Sequence, residues 1–214
     1  MAHLVQKVIF LSLTFALMPG AAQLQQPFSH KLHLKQVAGC EPCHTNAAKS
    51  TKAEDNLLPF ETECVNCHHD IHIKEPRKTT VHQFNHELHQ GVNPGPIIAA
   101  AIKSKTWLGT AKEMPKAVNT SNACVACHHD IEESEAITEA TGKAHYPRMA
   151  DCLTCHNQIN PPESCKTCHD PGTKFRPADH TAEFVDSHAR EGAIADKAAC
   201  QSCHGRKFTC KGCH

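Results

Sequence analysis

Few stretches of this chain are apolar for long enough to predict regular structure. The first is Val8 to Met18, an apolar run after Lys7, interrupted only by Ser12 and Thr14, that gives way to Pro19-Gly20 and small residues. This layout predicts a secretory signal peptide cleaved after Ala22, and the run falls short of the roughly 20 residues that span a bilayer. IIAAAIKSK (Ile97 to Lys105) predicts a helix packed into a core. Two more helix candidates are Ile131 to Ala140, with acids early in the run, and Thr181 to Glu191. Pro161-Pro162 and Pro171-Gly172 mark turns, and Ile73 to Val81, with Pro76 and a Lys/Arg cluster, marks a soft boundary. No segment reads as a strand. Everything else is polar and short-ranged.

Composition sharpens that picture. The chain has one Trp, one Tyr and eight Phe among 214 residues. After export it would hold about 192 residues, too polar to bury an adequate aliphatic core unaided. Something other than side chains is expected to fill the interior. The formal net charge is zero. There is no Gly-rich phosphate loop, no Ser/His/Asp order and no basic-aromatic stripe of the kind that binds nucleic acid.

The cysteines supply the missing component. All fourteen fall in seven copies of C-x-x-C-H: Cys40-Cys43-His44, Cys64-Cys67-His68, Cys124-Cys127-His128, Cys152-Cys155-His156, Cys165-Cys168-His169, Cys200-Cys203-His204 and Cys210-Cys213-His214. Free thiols do not persist in an oxidising compartment. Disulfides would use the cysteines but require no His after every pair, and His is only 19 of 214 residues. Zinc sites join C-x-x-C pairs two by two, which seven pairs cannot satisfy, and give the adjacent His no role. Covalent haem explains each feature: the two sulfurs form thioethers with the haem vinyl groups, and the next His supplies one axial nitrogen to iron. Each motif is expected on a helical turn. With roughly 27 residues per motif, porphyrin would make up much of the interior.

The sixth iron position separates carriers from catalysts. Eleven further His lie beyond the signal peptide: His30, His33, His69, His72, His82, His86, His89, His129, His145, His180 and His188. Only Met114 and Met149 offer thioether ligation there. Bis-His ligation at all seven irons is the simplest expectation, and it implies low potentials. An internal repeat is visible. FSHKLH (Phe28 to His33) recurs as FNHELH (Phe84 to His89), and CVNCHHDI (Cys64 to Ile71) recurs as CVACHHDI (Cys124 to Ile131). Where the first copy has VAGCEPCH the second has GVNPGPIIA, so a haem motif was gained or lost between copies.

Through F-x-H-x-x-H and the repeated C-x-x-C-H, the chain resembles the class III multihaem cytochromes c, the cytochrome c3 family with its trihaem members. FNHELH, CVACH, KAHYPRMADCLTCH and CKTCH follow the order of the trihaem members. The resemblance implies the axial pairs His86–His128, His89–His156 and His145–His169, with His30–His44 and His33–His68 in the first copy. His180 and His188 would then serve the last two motifs, in an order left open. In tetrahaem members the His directly after the motif can ligate a neighbouring haem, which keeps His69 and His129 as rivals. His72 and His82 read as solvated or propionate-contacting residues.

The expected fold is mostly irregular with short α-helices and little or no β, a compact multihaem cytochrome whose stacked haems replace the hydrophobic core. Its expected units are a signal peptide (1–22), a two-haem unit (23–80), a three-haem cytochrome c3-like unit (81–172) and a two-haem unit (173–214). The expected function is electron transfer, periplasmic or extracellular, between other redox proteins through seven covalently bound haem c groups. The alternatives are a subunit of a membrane quinone-linked complex, an extracellular haem filament, and a multihaem reductase with an open iron. No membrane span is expected in the mature chain.

Overall fold

The computed structural model describes residues 28–55, 57–69, 71, 81–137, 145–156, 163–175, 180–187 and 198–204. The segment expected to be a signal peptide, Pro161-Pro162, His72, His188 and the motif Cys210-Cys213-His214 lie outside them, as does all but the end of the soft boundary at Ile73 to Val81. The described chain is mostly irregular, with short helices. It carries no strand among the described residues, only isolated bridges between Phe28 and Ile137 and between Val81 and His169. None of its helices is long and apolar enough to cross a membrane.

The helices are α1 (His30–His33), α2 (Glu61–Cys64), α3 (His86–Val92), α4 (Gly95–Lys103), α5 (Ala123–Cys127), α6 (Met149–Cys152), α7 (Phe184–Ser187) and α8 (Ala198–His204). Short 3₁₀ turns cover Ala47–Lys49, Ile131–Glu133 and Glu163–Thr167. Each helix is too short to persist alone, so caps and tertiary contacts must hold it. Ser29 caps α1 by accepting from Leu32 N at 3.1 Å, and Asn85 caps α3 by accepting from Leu88 N at 2.8 Å. Asn122 caps α5, accepting from Cys124 N at 2.9 Å. Helix α3 stops at Asn93, in the left-handed region at φ 43°, just before Pro94.

The apolar run at Ile97 forms α4, which starts at Gly95. Its end is closed by Thr106 N and Trp107 N, which both donate to Ala101 O, at 2.8 and 3.1 Å. That closure turns Trp107 inward, where Ile98, Ala101, Trp107 and Ala150 form the side-chain core, flanked by Ile102, Val118 and Cys127. Gly95 lets α4 meet α5 closely: a Cβ there would lie 2.5 Å from Asn119 O and 3.3 Å from Ala126 Cβ. Gly109 is equally constrained, because a Cβ would run into the Trp107 ring.

Two helix expectations shorten. Within Ile131 to Ala140, the described residues 131–137 form only the 3₁₀ turn Ile131–Glu133. Ser134 is extended (φ −70°, ψ 117°), and its carbonyl accepts from Lys31 N at 3.1 Å and from Ser29 Oγ at 3.3 Å. A long-range partner has taken the group that helix propagation needs. Within Thr181 to Glu191 the described helix is α7 alone, and residues beyond Ser187 lie outside the described set.

The helices that carry F-x-H-x-x-H dock reciprocally. Helix α1 sits on the segment after the third motif, through Lys31 N to Ser134 O. Helix α3 sits on the segment after the first, where Glu87 N donates to Ser50 O at 3.1 Å and Gln90 Nε2 to Ala47 O at 3.2 Å. Ser50 and Ser134 are both buried, and each stands ten positions after the first Cys of its motif. The packing therefore matches the Cys40 motif to the Cys124 motif. This differs from the correspondence of CVNCHHDI with CVACHHDI that sequence similarity suggests.

Candidate functional site

The first five motifs each close as one helical turn. The carbonyl of the first Cys accepts from the His backbone N–H at 2.8 Å in His44 and His128, 2.9 Å in His68 and His156, and 3.0 Å in His169. The sixth motif, Cys200 to His204, lies on α8. Residues three apart on a helical turn share a face, so both sulfurs of each motif point to one side. The twelve described cysteines form no disulfide. No three His, Cys, Asp or Glu side chains converge as a single-ion site among the described residues.

The His residues stand in facing pairs. Ring centres are 6.3 Å apart in His30–His44, 6.0 Å in His33–His68, 6.2 Å in His89–His156 and 6.4 Å in His180–His204. Two imidazoles bonded at about 2.0–2.1 Å on opposite sides of one metal ion, each ring centre about 1.1 Å behind its nitrogen, stand about 6.3 Å apart. The spacing thus leaves room for one metal ion between each pair. His30–His44 and His180–His204 are nearly parallel, at 8° and 9°. His33–His68 and His89–His156 are tilted, at 47° and 40°.

Hydrogen bonds hold the rings by the other nitrogen. Nδ1 of His33 meets Ser29 O, Nδ1 of His89 meets Asn85 O and Nδ1 of His44 meets Leu57 O, each at 2.7 Å. Nδ1 of His128 meets His145 O, and Nδ1 of His145 meets His129 O, each at 2.9 Å. An Nδ1–H donated to a carbonyl leaves the Nε2 lone pair as the metal-facing atom, the usual outer-shell support of a ligating His. Burial, together with the neighbouring His44, lowers His30 to about 4. Burial, together with His128, lowers His86 to about 4. Both rings are therefore neutral at pH 7, the state a metal requires. Burial also lowers His128.

The two F-x-H-x-x-H segments are built alike. Phe28 meets His30 edge-on at 4.9 Å and stacks on His33 at 4.3 Å. Phe84 meets His86 edge-on at 4.7 Å and stacks on His89 at 4.4 Å. The phenyl ring fixes both imidazoles, which accounts for its place in the motif. Phe184 stacks on His180 at 4.3 Å and so does the same work in the C-terminal segment. Beside the His pairs the protein presents bare apolar side chains: Leu32 is 62% exposed and its counterpart Leu88 61%. A flat apolar macrocycle between the His rings would cover such positions, and the paired spacing, the Nδ1 bonds and these open faces all fit one.

His129 is placed differently. It is 1% exposed, and its Nε2 bonds Asp151 Oδ2 at 2.8 Å. Asp151 also accepts from Trp107 Nε1 at 3.0 Å and from Arg148 N at 3.0 Å. This buried network braces the third motif against the fourth, and it engages the nitrogen a distal ligand would need. Sequence reasoning misses Asp151, Trp107 and Phe184. The one Trp of an aromatic-poor chain, and Asp directly before a motif, are the available signals. His82 lies by the fifth motif: its backbone N donates to Cys168 O at 2.9 Å and its Nδ1 is 3.6 Å from Asp170 Oδ1. Burial, then Asp151, pushes the Cys127 thiol up to about 12. Comparisons with protein families, with curated proteins and with solved structures found no match to this chain.

Proposed function

We propose that the protein is a heptahaem c-type cytochrome of the class III kind that carries electrons between redox partners outside the cytoplasmic membrane. The observation that carries this reading is the set of four facing His pairs, 6.0–6.4 Å between ring centres, each pairing a C-x-x-C-H His with a His from elsewhere in the chain. When bound, the haem irons supply one-electron redox chemistry at low potential. The chain's own part is to tether, orient and enclose. Each C-x-x-C pair anchors one macrocycle by two sulfurs on a single helical face. The adjacent His takes one axial side, and His30, His33, His86, His89, His145, His180 and His188 take the other. His180 serves the sixth motif, which assigns His188 to the seventh. Backbone carbonyls at Ser29, Asn85, Leu57, His145 and His129 lock the ring orientations through Nδ1. Filled axial positions favour a carrier over a reductase, which needs an open iron.

The test is haem content by intact mass, then carbon monoxide titration of the dithionite-reduced protein. Seven haems and no carbon monoxide shift are expected. One carbon monoxide bound per chain would overturn the carrier reading in favour of ligand chemistry at an open iron. An unmodified polypeptide mass after export would overturn the haem assignment itself.

A further inference from the structure

The two repeats interlock, and the interlock sets which attachment motifs are neighbours. Helix α1 provides His30 and His33, one turn apart, opposite His44 and His68. The first and second motifs are therefore adjacent. Helix α3 provides His86 and His89 one turn apart, and His89 faces His156. His86 is near enough to His128 to feel its charge, so α3 brings the third and fourth motifs together in the same way. The His129–Asp151 bond ties those two motifs together from behind.

The remaining junction is the crossing of the copies. Helix α1 docks on the segment after the third motif and α3 on the segment after the first, through Lys31 N to Ser134 O and Glu87 N to Ser50 O. The bridge from Phe28 to Ile137 extends the first of these contacts. The first and third motifs are thereby drawn face to face. Their leading cysteines, Cys40 and Cys124, lie close enough for their side chains to interact. These are also matched positions of the two repeats, so each copy offers the same sulfur to the crossing. No comparable contact links the second motif to the third among the described residues.

We infer that the first four attachment motifs form a row in the order second, first, third, fourth, and that the redox path passes between the repeats at Cys40 and Cys124 instead of tracking the chain. This rests on the haem reading proposed for the protein. It places the second motif, Cys64 to His68, at one end of the row. The covalent link between the second and third motifs, residues 69–123, then spans from the end of the row back to its middle, with no requirement that its ends be near each other.

The order is read by two-dimensional proton NMR of the full-length, haem-loaded, fully reduced protein. Each haem is assigned through nuclear Overhauser contacts to residues of its own motif: Pro42 for the first, Val65 for the second, Ala126 for the third and Leu153 for the fourth. His30→Met and His86→Met, which each mark one iron by a new thioether signal, give a second assignment. Cross-peaks between the thioether protons at Cys40 and at Cys124, with none between the second and third haems, are expected. Contacts between the second and third haems in place of those between the first and third would overturn the order while leaving seven bound haems, and so the haem reading, intact. A haem-free mass would overturn both.

Discussion

The two F-x-H-x-x-H copies use one local design on two different foundations. In each, a capped short helix presents two His one turn apart, a Phe packs on both, and a carbonyl holds the second ring. The copies differ in the link from that helix to the next attachment motif. From His33 to Cys40 the chain runs 7 positions, and from His89 to Cys124 it runs 35. The longer link forms α4 and the Trp107 turn, and it supplies much of the buried aliphatic and aromatic surface of the described residues. The first copy has no such core. Its Leu32, Leu58, Phe60 and Val65 remain exposed. One copy thus holds its paired histidines with a small protein core, whereas the other has none among the described residues and leans on its partner copy.

The largest expected effect comes from withholding haem. In full-length chain made without haem attachment, backbone amides of residues 28–69 should exchange at unfolded rates. Those of Ile98, Ala101 and Ala126 should keep protection. Hydrogen exchange with mass detection measures this, and equal protection of the two copies would show that they stand on the same foundation. Next come substitutions in the core that only the second copy has. Trp107→Phe leaves Asp151 Oδ1 without its indole donor, at a cost of about 1–3 kcal/mol. Gly109→Ala drives a methyl into the Trp107 ring, for about 1–3 kcal/mol. Denaturant unfolding monitored by optical spectroscopy should show both losses, and a neutral Trp107→Phe would mean that the buried network does not stabilise the second copy.

Acid should affect both copies alike. His30 and His86 are each lowered from 6.5 to about 4, first by burial. The folded state therefore binds fewer protons than the unfolded state between those values. For an iron-free ring that stabilisation is complete above about pH 6.5 and is lost as pH falls toward about 4. An iron bond at Nε2 must break before the ring can charge, which moves the loss to lower pH. Melting temperature of the haem-loaded protein measured at pH 7, 5.5 and 4 should therefore stay level, and a decline across that window would mean that His30 and His86 are not iron-bound. The smallest effect belongs to Lys31, whose Nζ stands 3.0 Å from Glu135 and 3.5 Å from Glu133 across the crossing. These ion pairs are exposed, so Lys31→Ala should move the denaturation midpoint least of all, and less still at high salt.

Much of this site was legible along the chain. C-x-x-C-H is a helical turn written out, because residues three and four apart must share a face. The partners of the motif His were legible at His30, His33 and His89 through F-x-H-x-x-H, whose spacing again is one turn. Long-range competition was not legible. Ile131 to Ala140 has helix-forming composition, yet Ser134 O bonds to α1 from over a hundred positions away. His129 looked like a spare ligand, since nothing nearby in sequence announces that Asp151 will claim its Nε2.

The repeat itself shows the division most clearly. Sequence likeness pairs CVNCHHDI with CVACHHDI because side chains after the motif coincide. Packing pairs Cys40 with Cys124 because the docking helices recognise backbone carbonyls, at Ser50 and Ser134, that any residue could provide. The C-x-x-C-H motifs, their number and the supply of further His are all written locally, as reactive atoms at one-turn spacing, and so could be read from the residues alone. Which His face one another, which His is tied up in the core, and which segments dock across the two repeats were settled by folding. Those outcomes depend on contacts between segments far apart in the chain, made largely by main-chain groups that carry no residue identity.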